Sequence, residues 1–257
     1  MKIFNQQQEK MAELILQNNH IMPLDKLYSS EIQDLAINWA YYSGKIEGNT
    51  YTLIETELLL KSDVTSEKKY NDAKMLKNLY NAFISEIEHI KKGNREIINR
   101  DFILKLHSYI IDNLVSAKEQ GLFRTRPVKI SGTDYAPPSN SFEIENRFSE
   151  IMLQQSKIEN PLERAIFLHC NIAKLQPFID GNKRTSRLVE SIVLMSENIV
   201  PVYSSKNDDI KQYLEAILHF YETGDYNLYT DYFLTKKIEY LQYFTSENLS
   251  EKLKRID

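Results

Sequence analysis

Residues 176–187 read Gln-Pro-Phe-Ile-Asp-Gly-Asn-Lys-Arg-Thr-Ser-Arg, and from Asp180 to Arg187 they gather an acid, a glycine, an asparagine and three cations into eight positions. That set suits a polyphosphate and its metal. Pro177 stops an incoming helix near Gln176, because the residue before proline is pushed out of the helical region. Phe178 is the aromatic anchor expected to tie the loop to the core. Asp180 offers a hard oxygen ligand of the kind Mg²⁺ takes alongside phosphate oxygens. Gly181 permits a positive φ or a close backbone approach. Asn182 sits at the mouth of the next helix, where free N–H groups and the positive end of the dipole favour an anion. Arg184 and Arg187 are three apart and share a helix face. Their forked guanidiniums match phosphate oxygens two at a time. A proton acceptor is missing: Gln176 heads the stretch, and a carboxamide takes no proton at neutral pH.

A lone Asp-Gly-Asn would read as a capped helix with solvated cations. The ordered string is more specific. It resembles the signature of the Fic family, H-P-F-x-[D/E]-G-N-G-R-x-x-R, over Gln176 to Arg187. The resemblance implies a protein that binds ATP and Mg²⁺ and transfers AMP to a hydroxyl of a target protein. It assigns Asp180 to the metal, Gly181, Asn182, Lys183 and Arg184 to the phosphate loop, and Arg187 to the γ-phosphate. Two positions depart from the pattern. Lys183 stands where many Fic enzymes have glycine; Gly-Asn-Lys-Arg is commoner in death-on-curing relatives, some of which transfer phosphate. Gln176 stands where the family has the histidine that takes the hydroxyl proton. A positioned base is worth roughly 10²- to 10⁴-fold in rate. His169 lies two helical turns earlier, roughly 10 Å away, too far to replace it, and reads as structural. His20, His89, His107 and His219 have no motif around them and read as core or surface residues.

A second, distant motif is Ser43-x-x-x-Glu47-Gly48. By itself it is a helix end with Gly48 as cap. Beside the signature it resembles the inhibitory motif [S/T]-x-x-x-E-[G/N] of Fic proteins whose inhibitory helix precedes the core. That resemblance implies that Glu47 pairs with Arg187 and displaces the γ-phosphate. Residues 121–138 resemble the family's flap, a β-hairpin on which an unknown target protein would dock in strand-like pairing. Near the C-terminus, Tyr213 is the candidate to flank adenine. The resemblance runs from about residue 30 to about residue 235.

These residues need a scaffold, and helical periodicity supplies it. Helices are expected at 5–18, 29–43 (capped by Ser29 or Ser30), 52–60 (a Thr52/Glu55 capping box), 66–92 (with Gly93 as C-cap), 100–115, 141–156, 161–176, 183–198, 207–222 and from 226 onward. Only residues 121–138, with two glycines, three prolines and the short alternating runs Pro127–Ser131 and Thr133–Ala136, break the pattern and read as a hairpin. The fold class expected is therefore all-α, a Fic-type helical bundle with a small β-hairpin flap. Residues 1–95 would form an N-terminal helical region carrying the inhibitory motif, 96–235 the Fic core, and 236–257 a C-terminal helical tail whose charged end frays.

Composition bounds the rest. The 257 residues are 42% hydrophobic and 26% charged, enough to bury a core. A net charge of −4 argues against a nucleic-acid partner. The single cysteine, Cys170, excludes an intramolecular disulfide and a cysteine zinc cluster. No apolar run is long enough to span a bilayer and no signal peptide is visible, so a cytoplasmic location without membrane partners is expected, and a homo-oligomer is compatible with it. Four functional readings stand. The first is a Fic-type adenylyltransferase closed by Glu47 and weakened or silenced by Gln176. The others are a non-catalytic ATP- or protein-binding regulator, a death-on-curing-like phosphotransferase, and an active enzyme in which glutamine has been substituted for the histidine.

Overall fold

The structure, a computed structural model, describes residues 2–65, 68–95 and 97–253. Among them the chain is helical: α1 Gln6–Asn18, α2 Ser29–Ile46, α3 Leu53–Ser62, α4 Tyr70–Lys91, α5 Arg100–Ile110, α6 Ser141–Gln155, α7 Pro161–Leu175, α8 Asn182–Ser196, α9 Asn207–Thr223, α10 Asn227–Tyr243 and α11 Leu249–Leu253. Two residues of the expected 66–92 helix, at its start, and the last four of the expected tail lie outside the described residues.

Local signals explain most of the boundaries. At α3 the capping box forms: Glu55 N–H donates to the Thr52 hydroxyl, and Thr52 N–H to the Glu55 carboxylate at 2.7 Å. Asn160 receives the N–H groups of Leu162 and Glu163 ahead of Pro161, which opens α7 where proline's missing donor costs nothing. Gly93, at φ +85°, follows the last turn of α4 as expected. Two expectations need correction. Ser29 and Ser30 lie within α2 and do not cap it; Glu31 closes that end by accepting the Tyr28 N–H at 2.8 Å. The helix expected to reach residue 115 ends at Ile110. There the buried Asn78 amide from α4 donates to the Ile110 and Asp112 carbonyls, which satisfies them outside a helical ladder.

Packing places the site at the centre. α7 packs most extensively on α8, and α2 on α4, while α1 lies along α10 and touches α11. One apolar core draws residues from Phe4 to Leu249, with Trp39 of α2 stacked on Phe83 of α4 at its middle. Where α2 packs on α4, a Cβ on Gly44 would lie 2.9 Å from Leu76 Cδ2 and 3.2 Å from Asn49 Cβ, so any larger residue would push these side chains aside. This close approach seats the end of α2, and with it Ser43 and Glu47, against α8.

The hairpin does not form. No paired strands occur in residues 121–138; the described residues contain a single isolated bridge, Pro23 with Ile199. A side chain organises the segment. Arg124, 4% exposed, donates to the carbonyls of Gln176 (2.6 Å), Arg126 (2.9 Å) and Pro138 (2.5 Å), and its own N–H bonds Pro177 O. Pro127, Pro137 and Pro138 bring no N–H to a ladder, so alternation in the sequence yields an extended loop fastened to the 176–181 turn. No helix among the described residues is long and apolar enough to cross a membrane.

Candidate functional site

The site grows from the turn between α7 and α8. Gln176 leaves α7 at φ +50°, a left-handed conformation, and Gly181 enters α8 at φ +77°. Both reversals are needed to bring the loop back over the start of α8. A Cβ on Gly181 would also meet Ile111 Cδ1 at 3.3 Å, so glycine answers both geometry and space there.

Asn182 locks the turn. Its Oδ1 accepts Phe178 N–H (2.8 Å), and its Nδ2 donates to Phe178 O (2.9 Å) and to Gln176 Oε1 (3.0 Å). Gln176 completes the clasp by donating Nε2–H to Ala173 O at 2.6 Å. The carboxamide is thus occupied at both ends and buried, 8% exposed. Phe178, fully buried, is the anchor expected from the sequence. Its ring stacks on His107 with centroids 3.7 Å apart. His107 is a core residue, one of the two readings expected of it, and fully buried: its Nδ1 accepts the Gly121 N–H and its Nε2 donates to Asp180 O, both at 3.0 Å. It therefore ties α5, the 121–138 loop and the 176–181 turn together. Burial lowers the His107 pKa to about 4, with nearby Arg184 adding to the effect and the Asp180 carbonyl opposing it.

Charges converge at the first turns of α8. Asp180 Oδ1 accepts from Gly181 N–H (2.6 Å) and Arg184 Nη2 (2.7 Å), while about half of its side chain remains exposed. Partial burial raises the Asp180 pKa, but Arg184 outweighs it and the carboxyl sits below its ordinary range. Arg184 is 2% exposed, and its Nε and Nη1 are buried without a hydrogen-bond partner. Arg187 is equally buried and fully engaged. It donates Nη2–H to Glu47 Oε1 (2.9 Å) and Ser43 O (3.1 Å), Nε–H to Ser43 Oγ (3.2 Å), and Nη1–H to the Tyr213 hydroxyl (3.1 Å). The other carboxylate oxygen of Glu47 lies 3.6 Å from Lys183 Nζ. Burial pushes the Glu47 pKa up, yet Arg187, Lys183 and Arg184 together bring it below the ordinary value, so the carboxylate is charged. Gly48, at φ +80°, ends α2 beyond it.

Thus Gln176, Asp180, Gly181, Asn182, Lys183, Arg184, Arg187, Ser43 and Glu47 all meet at one locus, although the two segments are 140 positions apart at Glu47 and Arg187. Tyr213 joins it through Arg187. It is 1% exposed, and its hydroxyl, which accepts from Arg187, lies 3.1 Å from His169 Nε2. Behind it lies a small, partly open cavity lined by Tyr42, Tyr203, Tyr229 and Arg187 among others. Tyr213 thus braces Arg187. His169 has the structural role expected of it, its Nδ1 lying 3.2 Å from the Glu190 carboxylate, which also accepts the Tyr229 hydroxyl at 2.7 Å. This buried chain carried no motif and was legible only as polar residues on an apolar helix pair.

With this geometry in hand, comparison with known proteins is informative. The Fic profile, described as the Fic/DOC family, matches residues 97–194. The "Protein adenylyltransferase Fic" of Culex quinquefasciatus is 29% identical over 184 residues, 69% of this chain and 35% of that protein. Its Drosophila persimilis counterpart is 29% identical over 67% of this chain and 34% of its own length. The chain thus spans about a third of the length of these curated relatives. Among solved structures, Fic-1 from C. elegans superposes with a TM-score of 0.72 at 23% identity, over 93% of this chain and 70% of its own. A Fic domain-containing signalling protein from Bacteroides thetaiotaomicron superposes with a TM-score of 0.71 at 20% identity, over 91% and 96% of the two chains. At these identities the superpositions speak to the fold.

Proposed function

With residues 97–194 matched by the Fic/DOC family model, we propose that this chain is a Fic-type protein that binds the polyphosphate of ATP at the start of α8 and that Glu47 holds the site closed. The observation that carries this reading is Arg184. A guanidinium 2% exposed with two donors idle is costly to keep unless an anion meets them. Phosphate oxygens have the fork geometry to do so. Arg187 supports the reading from beside it, because its outer face is taken by a carboxylate, the nearest mimic of a phosphate that a protein has.

The site fits Mg²⁺ through Asp180. Among the described residues no group of three or more acidic, histidine or cysteine side chains could cage a metal, so Asp180 would hold the ion with phosphate oxygens and water. Bound there, Mg²⁺ would neutralise phosphate charge. Asn182 and Gly181 keep the loop in register, Arg184 takes phosphate oxygens, and Arg187 takes the terminal phosphate once Glu47 has left.

The reaction of the relatives named protein adenylyltransferase gives the second half of the reading. Transfer of AMP joins a target hydroxyl oxygen to the α-phosphorus, breaks the bond to the β-phosphate and releases pyrophosphate; the hydroxyl proton must go to a base. In this chain the base position is Gln176, which cannot take it. We therefore infer adenylyl transfer as the inherited chemistry and Gln176 as its block. A non-catalytic role as a nucleotide- or protein-binding regulator is the second reading. It is favoured by the Gln176 clasp, which has both ends of the carboxamide bonded inside the protein. The phosphate site is tested by calorimetry with Mg-ATP on Glu47→Gly and on Glu47→Gly/Arg184→Met. The arginine change is expected to weaken binding about 10- to 100-fold, the worth of a charged hydrogen-bond pair. Equal affinities would remove Arg184 from the nucleotide and the reading with it.

A further inference from the structure

Lys183 sits where the signature this loop resembles has glycine, and its surroundings give it a use. Its ammonium lies 3.6 Å from Glu47 Oε2, while Arg187 holds Oε1 at 2.9 Å. The two cations grip different oxygens of one carboxylate. Both ends of the lysine contact are sheltered, with the lysine side chain 23% and the glutamate 16% exposed. Among the described residues, the acids ion-paired with Lys183, Arg184 and Arg187 are Glu47 and Asp180, with Glu190 lining the cavity beside Arg187. Arg184 already engages Asp180 at 2.7 Å. Withdrawal of Glu47 would therefore leave Lys183 and Arg187 side by side without the carboxylate they share. Burial and these arginines already draw the Lys183 pKa down, and Glu47 is the group that supports its charge. Any anion that replaces Glu47 on Arg187 meets both cations.

We propose that Lys183 is an exchange contact, which holds Glu47 while the site is closed and passes to the terminal phosphates of the nucleotide when Glu47 leaves. This rests on the nucleotide-binding reading above. It has a consequence that simpler roles do not share. With Glu47 present, losing the lysine removes one contact from the closed state and one from the bound state, and the two losses offset. With Glu47 gone, only the phosphate contact is lost.

The test is calorimetry with Mg-ATP on four proteins: the unaltered chain, Lys183→Met, Glu47→Gly and Glu47→Gly/Lys183→Met. The expected result is about tenfold weaker binding on loss of the lysine in the Glu47→Gly background, and less than threefold change with Glu47 intact. Lys183→Arg in the Glu47→Gly background should keep the affinity, since the charge remains. Thermal unfolding of the four proteins reads the closed contact without nucleotide, and Glu47 and Lys183 should be non-additive. Equal weakening in both backgrounds would make Lys183 a plain phosphate ligand. Tightening with Glu47 present and no change without it would make it a plain latch. Either result, or strict additivity in unfolding, overturns the exchange. If Glu47→Gly binds no Mg-ATP at all, the nucleotide reading has failed; if it binds and the lysine makes no difference, this inference alone has failed.

Discussion

Restoring the base should restore chemistry. Gln176→His in the Glu47→Gly background is expected to attach AMP to protein, while Glu47→Gly alone stays nearly silent. The size follows from the missing step: a positioned general base contributes roughly 10²- to 10⁴-fold, or about 3 to 5 kcal/mol of barrier. The substitution has a structural cost that can be counted. Histidine tolerates the φ of +50° better than most side chains. It loses two hydrogen bonds, to Ala173 O and from Asn182 Nδ2, each worth about 1 kcal/mol. Asn182 keeps both of its contacts with Phe178, so the loop should hold. The assay is incubation with ATP labelled at the α- or the γ-phosphate, on the purified protein and in lysate. Transfer of the α label alone means adenylyl transfer; transfer of the γ label alone means phosphotransfer in the manner of death-on-curing relatives. Equal labelling by Glu47→Gly with and without the histidine would refute the claim that proton removal is the block. No labelling by a folded double variant that binds Mg-ATP would favour the regulator reading.

Two further predictions concern the supports of the site. His107 is held near a pKa of 4 against 6.5 in an unfolded chain, chiefly by burial. As pH falls from 6.5 to 4 the unfolded chain therefore takes up a proton the folded one refuses, and stability drops by about 3 kcal/mol from this residue. Urea unfolding of the chain and of His107→Gln across that window should show the smaller pH dependence in the variant, and parallel profiles would show that His107 is not the group responsible. Arg124→Met leaves the carbonyls of Gln176, Arg126 and Pro138 without their donor and should cost about 2 to 4 kcal/mol in urea unfolding, with faster proteolysis inside 121–138; a loss under 0.5 kcal/mol would mean that the loop is held by other contacts.

What could be read from the sequence divides by the range of the interactions. The α7–turn–α8 element was legible because Pro177, Gly181 and the cation spacing act within one or two turns of chain. The Thr52 capping box and the Gly93 cap were legible for the same reason. The meeting of Glu47 and Arg187 was not written in any local pattern, and only the paired motifs of the Fic resemblance linked them. Residues 121–138 misled because alternation records which side chains face inward but not where backbone groups bond; the Arg124 side chain takes carbonyls that a ladder would have used. His107 read as a core or surface residue and is a core one; its partners are two backbone groups, which leave no signal in the sequence. Tyr213 was linked to adenine by resemblance alone; its contacts with Arg187 and His169, in a buried polar chain, carry no local sequence signal.

Glu47 is proposed to occupy the seat of a phosphate. Calorimetry with Mg-ATP on the chain and on Glu47→Gly tests that most directly. The carboxylate is largely sheltered, charged and bonded to Arg187 at 2.9 Å, a contact of the class worth about 1.5 to 3 kcal/mol. Its removal should therefore tighten Mg-ATP about 10- to 100-fold, while leaving AMP, which lacks the terminal phosphates, little changed. Unchanged Mg-ATP affinity, or equal tightening for AMP, would contradict the account.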